Sequence, residues 1–193
     1  MISQLNGRLI EKNPTDVVID CNGVGYAVHI SLYTYEKIGQ EEALKLYTHL
    51  IVREDSQTLY GFFDKAEREV FRLLISVSGI GAGTARTMLS SLEPLQIRDA
   101  IVNDDVATIK SVKGIGAKTA QRLIIDLRDK VLKLFDEETI APAAGNRNKE
   151  EALSALEVLG YPRKQAEKTV SNILKKEPDL SVENIIKTAL KNL

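Results

Sequence analysis

Two segments of the chain repeat one short pattern of glycine, isoleucine and alanine, 35 residues apart. Residues 77–89 read VSGIGAGTARTML and residues 112–124 read VKGIGAKTAQRLI, with identity at seven of thirteen positions. In each copy two glycines flank one isoleucine. This pattern predicts a tight hairpin between two helices, in which the isoleucine enters the core and the glycines permit unusual dihedral angles and close backbone approach.

Such a hairpin can bind an anion through its backbone. The helix that follows it begins with amide groups that have no partner inside the helix, and the helix dipole adds a partial positive charge there. A phosphate of DNA fits this site without any base being recognised. A single copy is equally compatible with an ordinary helix corner, but two copies with basic residues beside the second favour phosphate binding.

Side chains next to the turns extend these candidate sites. Lys118 lies two residues after Gly116 and Arg122 follows one helical turn later, so both can flank the same run of phosphates. In the first copy Gly83 replaces that lysine and Arg86 is the nearest cation, which predicts a hairpin that depends more on its amides. The candidate phosphate-binding residues are Gly79, Gly81, Gly83, Arg86, Gly114, Gly116, Lys118, Thr119 and Arg122.

The first third of the chain has the alternating pattern of strands. Five segments show it, namely 7–12, 16–21, 26–30, 44–52 and 58–63. Residues 22–25, Asn-Gly-Val-Gly, are predicted as the turn between the second and third. Five short strands close most economically into a small barrel of the OB type, because closure leaves few exposed strand edges.

From Asp64 onward the apolar spacing becomes helical, and Asp64 with Glu67 resembles a capping box. Helices are predicted over 83–92, 95–102, 105–112, 117–135, 149–159, 163–175 and 182–193. Residues 136–148 contain acids, proline and alanines without periodicity, which predicts a flexible linker. The small core predicted for the last three helices includes Val158, Leu159 and Leu190, and its size favours a docking role.

These patterns predict an α+β protein of several domains. We expect a barrel over residues 1–64, a helical domain with both hairpins over 65–135, and a three-helix domain over 149–193. The charge follows this division: the net charge is −4 over 1–64, +4 over 65–135 and −1 over 136–193, although the whole chain carries only −1. A basic middle between acidic flanks is compatible with nucleic-acid binding and with a solvated surface.

Composition excludes several classes of protein. With 193 residues, 44% hydrophobic and 27% charged, the chain is able to form small packed cores. No apolar run approaches the roughly 20 residues that cross a bilayer, and the N-terminus lacks the features of a signal peptide. The single cysteine, Cys21, cannot form an internal disulfide. A cytoplasmic location is therefore expected.

The sequence contains no complete motif for catalysis or for cofactor binding. The segment from Gly116 to Thr119 resembles the end of a P-loop, but the required spacing is absent and no strand precedes it. His29 and His49 are isolated in strand-like segments. No cluster has the spacing of metal ligands or of an acid–base pair, so neither catalysis nor a metal nor a cofactor is expected.

An acidic turn lies between the last two predicted strands. Glu54 and Asp55 are adjacent within the sequence LIVREDSQTLYGF. Taken alone, the segment is an ordinary polar hairpin turn, since Asp and Ser are common in turns.

The whole arrangement resembles one family. Both glycine turns resemble helix-hairpin-helix motifs, which bind the DNA backbone without sequence specificity. Together with the barrel, the acidic turn and the three-helix tail, they resemble the RuvA family, bacterial proteins that bind Holliday junctions. The resemblance extends over essentially all 193 residues and rests on MISQLNGRLIEK, NGVGY, VREDSQTLYGF, both hairpins and LGYPRKQAEKTV. The chain departs from the family at Gly83, where a basic residue is expected.

The resemblance implies a function and partners. In this family a tetramer, alone or as a double tetramer, holds a four-way DNA junction open, and Glu54 and Asp55 are implied to form an acidic pin at its crossover. The tail is implied to dock on RuvB, the hexameric ATPase that moves the DNA, and RuvC, the junction resolvase, is a further implied partner. The implied role is non-catalytic and belongs to DNA recombination, DNA repair and the SOS response. The candidate docking residues are Leu159, Gly160, Tyr161 and Pro162.

Two other classes of function are compatible with parts of the sequence. A helix-hairpin-helix enzyme, such as a glycosylase or a structure-specific nuclease, needs an acid–base or metal cluster near the hairpins. A single-strand binder with an OB fold needs exposed aromatic residues and a basic groove. Aromatic residues are only 5% of this chain, and its predicted barrel is acidic.

Overall fold

The computed structural model describes residues 1–139, 144–177 and 180–193. Contacts between residues divide the chain into two compact units, Met1–Asp136 and Glu137–Leu193. The first unit contains a β-barrel and the helices that carry both glycine turns, and the second contains the last three helices.

Five strands form a closed barrel in the first unit, namely β1 (Gln4–Lys12), β2 (Asp16–Cys21), β3 (Val24–Ile30), β4 (Ala43–Val52) and β5 (Gln57–Phe62). Strand β1 pairs antiparallel with β2 and β4, β2 with β3, and β4 with β5. A short parallel pairing of β3 with β5 closes the ring. The predicted five-stranded barrel, followed by helical hairpins and a helical tail, is confirmed.

Alternation places one face of each strand in the barrel core. Val17 and Ile19 of β2 and Val28 of β3 are fully buried there. The turn between β2 and β3 is tighter than predicted. It contains only Asn22 and Gly23, both with positive φ, because this backbone twist matches that of the strands, and β3 already begins at Val24.

A short helix, α1 (Leu32–Lys37), follows β3 and was not predicted from the sequence. Its aromatic and β-branched residues have strand propensity, so their spacing gave no helical signal. The side chain of Ser31 accepts a hydrogen bond from the Thr34 amide and caps the helix. Both Ser31 and Thr34 are buried, and this local cap with its tertiary contacts overrides the propensity of the residues.

Five helices follow the barrel, namely α2 (Lys65–Ile75), α3 (Ala82–Ser91), α4 (Pro94–Val102), α5 (Val106–Ser111) and α6 (Ala117–Thr139). Their apolar faces form one core, which includes the isoleucine of each glycine turn. The barrel contributes to the same core. Phe71 of α2 packs against Tyr60 and Phe62 of β5, with ring centroids 5.1 and 4.9 Å apart. Barrel and helices are therefore held together by apolar packing as well as by the chain.

A buried carboxyl group lies where the barrel meets the helices. Asp64 caps α2 by accepting from the Glu67 amide at 2.7 Å, as the predicted capping box requires. The side chain of Glu67, however, enters the barrel junction. It accepts hydrogen bonds from the hydroxyls of Ser31 and Thr34 and, at 3.1 Å, from the Phe63 amide. The residue is fully buried, so these bonds compensate for its lost solvation.

Burial raises the pKa of Glu67 from its ordinary value near 4.5 to about 7, despite the hydrogen bonds from Ser31 and Thr34 that act in the opposite direction. The folded state thus binds the proton more tightly than the unfolded state. The resulting stabilisation is complete below pH 4.5 and is lost as the pH rises through 7. We expect the free energy of unfolding to fall by roughly 2 to 3 kcal/mol between pH 5 and pH 8 relative to Glu67→Gln, measured by urea unfolding. Parallel pH profiles for the two proteins would contradict this expectation.

The second unit has three described helices, α7 (Ala144–Val158), α8 (Arg163–Lys176) and α9 (Val182–Leu190). Its core contains Leu153, Leu156, Val170 and Ile185, all fully buried. Three residues predicted for this core are instead exposed, namely Val158, Leu159 and Leu190. The apolar stripe of these short helices is wider than the surface that their neighbours cover.

Helix extends into both ends of the segment that was predicted to be a flexible linker, residues 136–148. Helix α6 continues to Thr139, and α7 begins at Ala144. Residues 140–143 lie outside the described residues. The predicted helix ended at Phe135 because the apolar periodicity ends there. Helical hydrogen bonds can continue beyond that point, since glutamate and alanine have high helix propensity.

Candidate nucleic-acid interface

The first glycine turn joins α2 to α3. Gly79 has φ of +94°, in the left-handed region that favours glycine, and this reverses the chain after α2. The Ile80 amide then donates to the Val77 carbonyl at 3.0 Å, and both side chains are buried. Gly81 is the N-cap residue of α3 and has no side chain that could cap the helix. The structure therefore confirms a helical hairpin with its isoleucine in the core.

The second glycine turn repeats this geometry between α5 and α6. Gly114 has φ of +93°, and the Ile115 amide donates to the Val112 carbonyl at 3.2 Å. The Gly116 carbonyl accepts from Ala120 at 2.9 Å, which is the bond that begins α6, just as Gly81 accepts from Ala85 at 2.9 Å in the first copy. The sequence repeat is thus a repeat of structure.

The remaining glycines of the turns face open space. A Cβ atom added at Gly81, Gly83 or Gly116 would meet no atom within 4 Å, and the φ angles of these residues are accessible to any amino acid. Neither backbone strain nor internal crowding explains why they are glycines. Their absent side chains leave the first-turn amides of α3 and α6 open to an approaching group, and these amides have no partner inside the helix. The arrangement suits an anion at each helix N-terminus.

Two exposed cations follow the second turn, whereas Arg86, the candidate cation of the first turn, is partly buried. Lys118 and Arg122 are both exposed on the first turns of α6, and Thr119 is partly buried between them. Arg122 forms one ion pair, of 3.4 Å, with Asp126 on the same helix, and its side chain is 57% exposed. It therefore remains accessible to a phosphate.

Arg86, the candidate cation of the first turn, contacts the barrel. Its Nη1 donates to the Thr15 carbonyl at 3.3 Å, in the turn between β1 and β2. Part of its hydrogen-bonding capacity is therefore used within the protein. This contact could not be predicted from sequence, because it joins residues 71 positions apart.

Replacing Lys118 and Arg122 together with alanine is expected to weaken DNA binding about equally for any sequence. Each side chain neutralises a phosphate, so the slope of log affinity against log salt should become shallower by roughly one to two units. The measurement is a fluorescence anisotropy titration at several salt concentrations. Alanine at Lys130 and Lys133, exposed lysines farther along α6, serves as the control. A loss restricted to some sequences would contradict phosphate binding.

The acidic turn is the tip of the hairpin formed by β4 and β5. The Arg53 amide donates to the Ser56 carbonyl at 2.8 Å and closes a four-residue loop. Glu54 and Asp55 lie within it and are exposed, and the Ser56 hydroxyl donates to Asp55 at 3.3 Å. The two carboxylates thus lie in solvent at one end of the closed barrel's last hairpin.

The candidate docking residues of the tail differ in their surroundings. Leu159 is 57% exposed, whereas Tyr161 packs partly against the core of the second unit. Gly160 has φ of +95° and ends α7, and Pro162 is the N-cap residue of α8. Sequence reasoning placed Val158 in the core, but it is 88% exposed beside Leu159. The two residues form an exposed apolar pair.

Residues 1–139, 144–177 and 180–193 contain no group of three or more His, Cys, Asp or Glu side chains placed to hold a metal ion. Over the same residues, no helix combines the length and the apolar character needed to span a membrane.

Comparison with known proteins places the chain in a family. Residues 1–61 match the RuvA N-terminal domain, residues 71–129 match a SAM-like helix-hairpin-helix tandem, and residues 147–193 match the RuvA C-terminal domain. Relatives from Christiangramia forsetii and Flavobacterium psychrophilum are 63% and 62% identical over the full length of both chains. A relative from Bacteroides fragilis is 48% identical, again over full length. All three are named Holliday junction branch migration complex subunit RuvA. The chain therefore belongs to the RuvA family.

Proposed function

We propose that this chain is the non-catalytic subunit of a branch migration complex and that it binds four-way DNA junctions without sequence specificity. Two hairpins of the same geometry, each with open helix amides, carry this proposal. The names of the full-length relatives support the junction as the form of DNA that is bound.

In this proposal each hairpin binds consecutive backbone phosphates of one DNA arm. The binding residues are the candidates from the sequence, with amides dominant in the first hairpin and Lys118 and Arg122 added in the second. Arg86 contributes the guanidinium donors that Thr15 does not occupy. A homotetramer, alone or doubled on the DNA, supplies four-fold symmetry that matches the four arms. Eight hairpins in one tetramer then surround the crossover.

The tail connects this DNA-binding part to a motor. We assign the docking of RuvB, the hexameric ATPase, to residues 149–193, with the exposed pair Val158 and Leu159 at the centre of the contact. Tyr161 and Pro162 follow this pair in the chain. Gly160, with its positive φ, makes the turn between Leu159 and Tyr161. RuvC, the junction resolvase, acts on the junction that the subunit holds open. The process served is recombination and repair of DNA.

A gel-shift comparison tests the proposal. A four-way junction and a linear duplex with the same total sequence are titrated with the protein in the same buffer. The proposal expects clearly tighter binding of the junction, because only its geometry engages several hairpins at once. Equal affinities would refute junction recognition while leaving DNA binding intact.

Glu54 and Asp55 are proposed to form an acidic pin at the crossover. Carboxylates within about 10 Å of phosphates repel them, although salt screens part of the effect. Changing Glu54→Gln with Asp55→Asn should therefore leave junction affinity unchanged or tighter. The same variant should migrate branches abnormally, because the repulsion that separates strands at the crossover is removed.

Junction affinity at several salt concentrations and the rate of motor-driven migration are measured on the same preparation. The control is Glu41→Gln with Glu42→Gln, which removes the same charge from two exposed residues in the loop before β4 and should change neither quantity. Weaker junction binding by the neutral variant would contradict the repulsive pin. Unchanged affinity together with unchanged migration would identify the segment as an ordinary polar turn.

A further inference from the structure

The first hairpin is attached to the barrel through polar contacts, in addition to the shared apolar core. One set surrounds Glu67 and is called here the interdomain clasp, consisting of Ser31, Thr34, the Phe63 amide and Glu67. Its hydrogen bonds connect the N-terminal turn of α2 with α1 and with the residue that follows β5. The Thr34 hydroxyl also accepts from the Phe63 amide at 3.0 Å, so the clasp is a closed network.

A second set of contacts holds α3, the helix whose N-terminus belongs to the first hairpin. The Leu32 amide, at the start of α1, donates to the Ser90 hydroxyl at 3.0 Å. Arg86, one turn earlier on α3, donates to the Thr15 carbonyl at 3.3 Å. Helix α3 is therefore fixed at two points on one side, to α1 and to the turn between β1 and β2.

The second hairpin lacks the residues that make these attachments. At an offset of 35 residues, Gln121 corresponds to Arg86, and Ile125 corresponds to Ser90. Both are exposed on α6, and Ile125 is 78% exposed. The hairpin geometry is the same in both copies, so a hairpin does not need these polar contacts to form. These polar contacts instead fix the position of the first hairpin relative to the barrel.

We propose that Ser90 and the interdomain clasp are positioning elements that fix the first hairpin relative to the acidic turn, and that junction selectivity depends on this fixed spacing. The inference rests on the proposed function, because it assumes that hairpin and acidic turn engage one junction. None of these side chains has to touch DNA. They act by keeping the phosphate site on α3 and the tip of the β4–β5 hairpin in one rigid arrangement.

The physical reason lies in simultaneous binding. A duplex arm engages hairpins alone, and their affinity for phosphate does not depend on where the acidic turn lies. A junction also surrounds the acidic turn with phosphates, and their repulsion by Glu54 and Asp55 stays smallest only if the turn is held at the centre of the crossover while the hairpins bind the arms. Loosening the attachment should therefore lower affinity for the junction more than affinity for duplex.

Ser90 and its neighbour Ser91 provide a matched pair of variants. Ser90 accepts from the Leu32 amide of α1, whereas Ser91 donates to the Thr87 carbonyl within its own helix at 2.9 Å. One hydrogen bond contributes about 1 kcal/mol, so Ser90→Ala should lower the ratio of junction to duplex affinity by up to about fivefold. Ser91→Ala should leave the ratio unchanged.

Two variants of Glu67 test the interdomain clasp: alanine removes its hydrogen bonds, and glutamine retains most of them. Glu67→Ala removes three hydrogen bonds and should lower the ratio of junction to duplex affinity by about tenfold or more. Glu67→Gln should restore it, because the amide can donate to the Ser31 hydroxyl and still accept from Thr34 and Phe63. Thermal unfolding establishes that each variant is folded at the assay temperature. Arm-to-arm energy transfer in a labelled junction reports whether the bound junction keeps its open geometry.

The outcomes separate this inference from the proposed function. If the unmodified protein itself shows no preference for the junction, the proposed function fails. If it prefers the junction and Ser90→Ala keeps that preference unchanged, the positioning role is overturned. Equal losses for junction and duplex would likewise overturn it, since they would indicate general destabilisation. Should Glu67→Ala prove unfolded, the Ser90 and Ser91 pair decides the question alone.

Discussion

Gly116→Val is expected to reduce junction affinity by at least about 100-fold, because it blocks at least two hydrogen bonds between helix amides and a charged phosphate, each worth 1.5–3 kcal/mol. The valine side chain would occupy the open space beside the first turn of α6. A phosphate oxygen could then no longer approach the amides, whatever the DNA sequence. The expected loss therefore applies equally to all junctions.

The structure predicts that this variant still folds. The φ angle of Gly116 is accessible to other residues, and its Cβ position is free of contacts within 4 Å. The expected cost is limited to about 1 kcal/mol, because valine is a poor residue at the start of a helix. Gly114→Val contrasts with it. Its φ of +93° strains any β-branched residue, so that variant should lose stability as well as binding.

Gly39→Val is the matched control, because Gly39 is exposed in a barrel loop and also has room for a side chain. Junction affinity is measured by anisotropy, and folding is measured by urea unfolding of the same samples. Loss of binding in the Gly116 variant alone, with little change in unfolding, is the expected result. Near-normal binding by that variant would contradict phosphate contact at the second hairpin.

Sequence alone predicted the hairpins because their information is local and repeated. A glycine with positive φ, a buried isoleucine and a helix start lie within a few residues in each copy, so Gly79 and Gly114 could be recognised without tertiary contacts. The barrel was predictable for a similar reason, since period-two alternation and the Asn22-Gly23 turn are local signals. The closing parallel pair of β3 and β5 leaves no such signal.

The attachment of the first hairpin could not be predicted, because it depends on contacts between distant segments. Glu67 fits a local capping pattern, yet its carboxylate binds residues 33 and 36 positions earlier in the chain. Nothing in the pattern distinguishes a solvated capping glutamate from a buried one. Helix α1 was not predicted for the same reason. Its N-cap residue, Ser31, is also part of the interdomain clasp, which depends on contacts with a distant segment.

The tail illustrates a different limit, because helical spacing does not say how much of an apolar stripe is covered. Val158 and Leu159 follow directly on the buried stripe of α7, yet three short helices cannot enclose every apolar residue that they carry. The exposed pair is therefore a candidate contact surface.

A chain that ends after Thr139 is expected to bind junctions normally but to fail to stimulate the RuvB ATPase on DNA. The first unit, Met1–Asp136, has its own barrel core and helical core, so removal of the tail leaves both intact. Junction affinity and oligomer mass by light scattering should remain unchanged. Stimulation of the ATPase should fall to the level without this subunit, because tethering to the DNA is lost.

Leu159→Ser refines the same test within the full chain. Burying a leucine in a contact contributes roughly 1.5 to 3 kcal/mol, so the concentration needed for half-maximal stimulation should rise at least about tenfold. The side chain is mostly exposed, so the tail should fold as before. Lys168→Ser, at an exposed polar position on α8, is the control and should have no effect. If the truncated chain still supported motor-driven migration, the docking surface would have to lie in the first unit, where the hairpins and the acidic turn already occupy the proposed DNA-binding face.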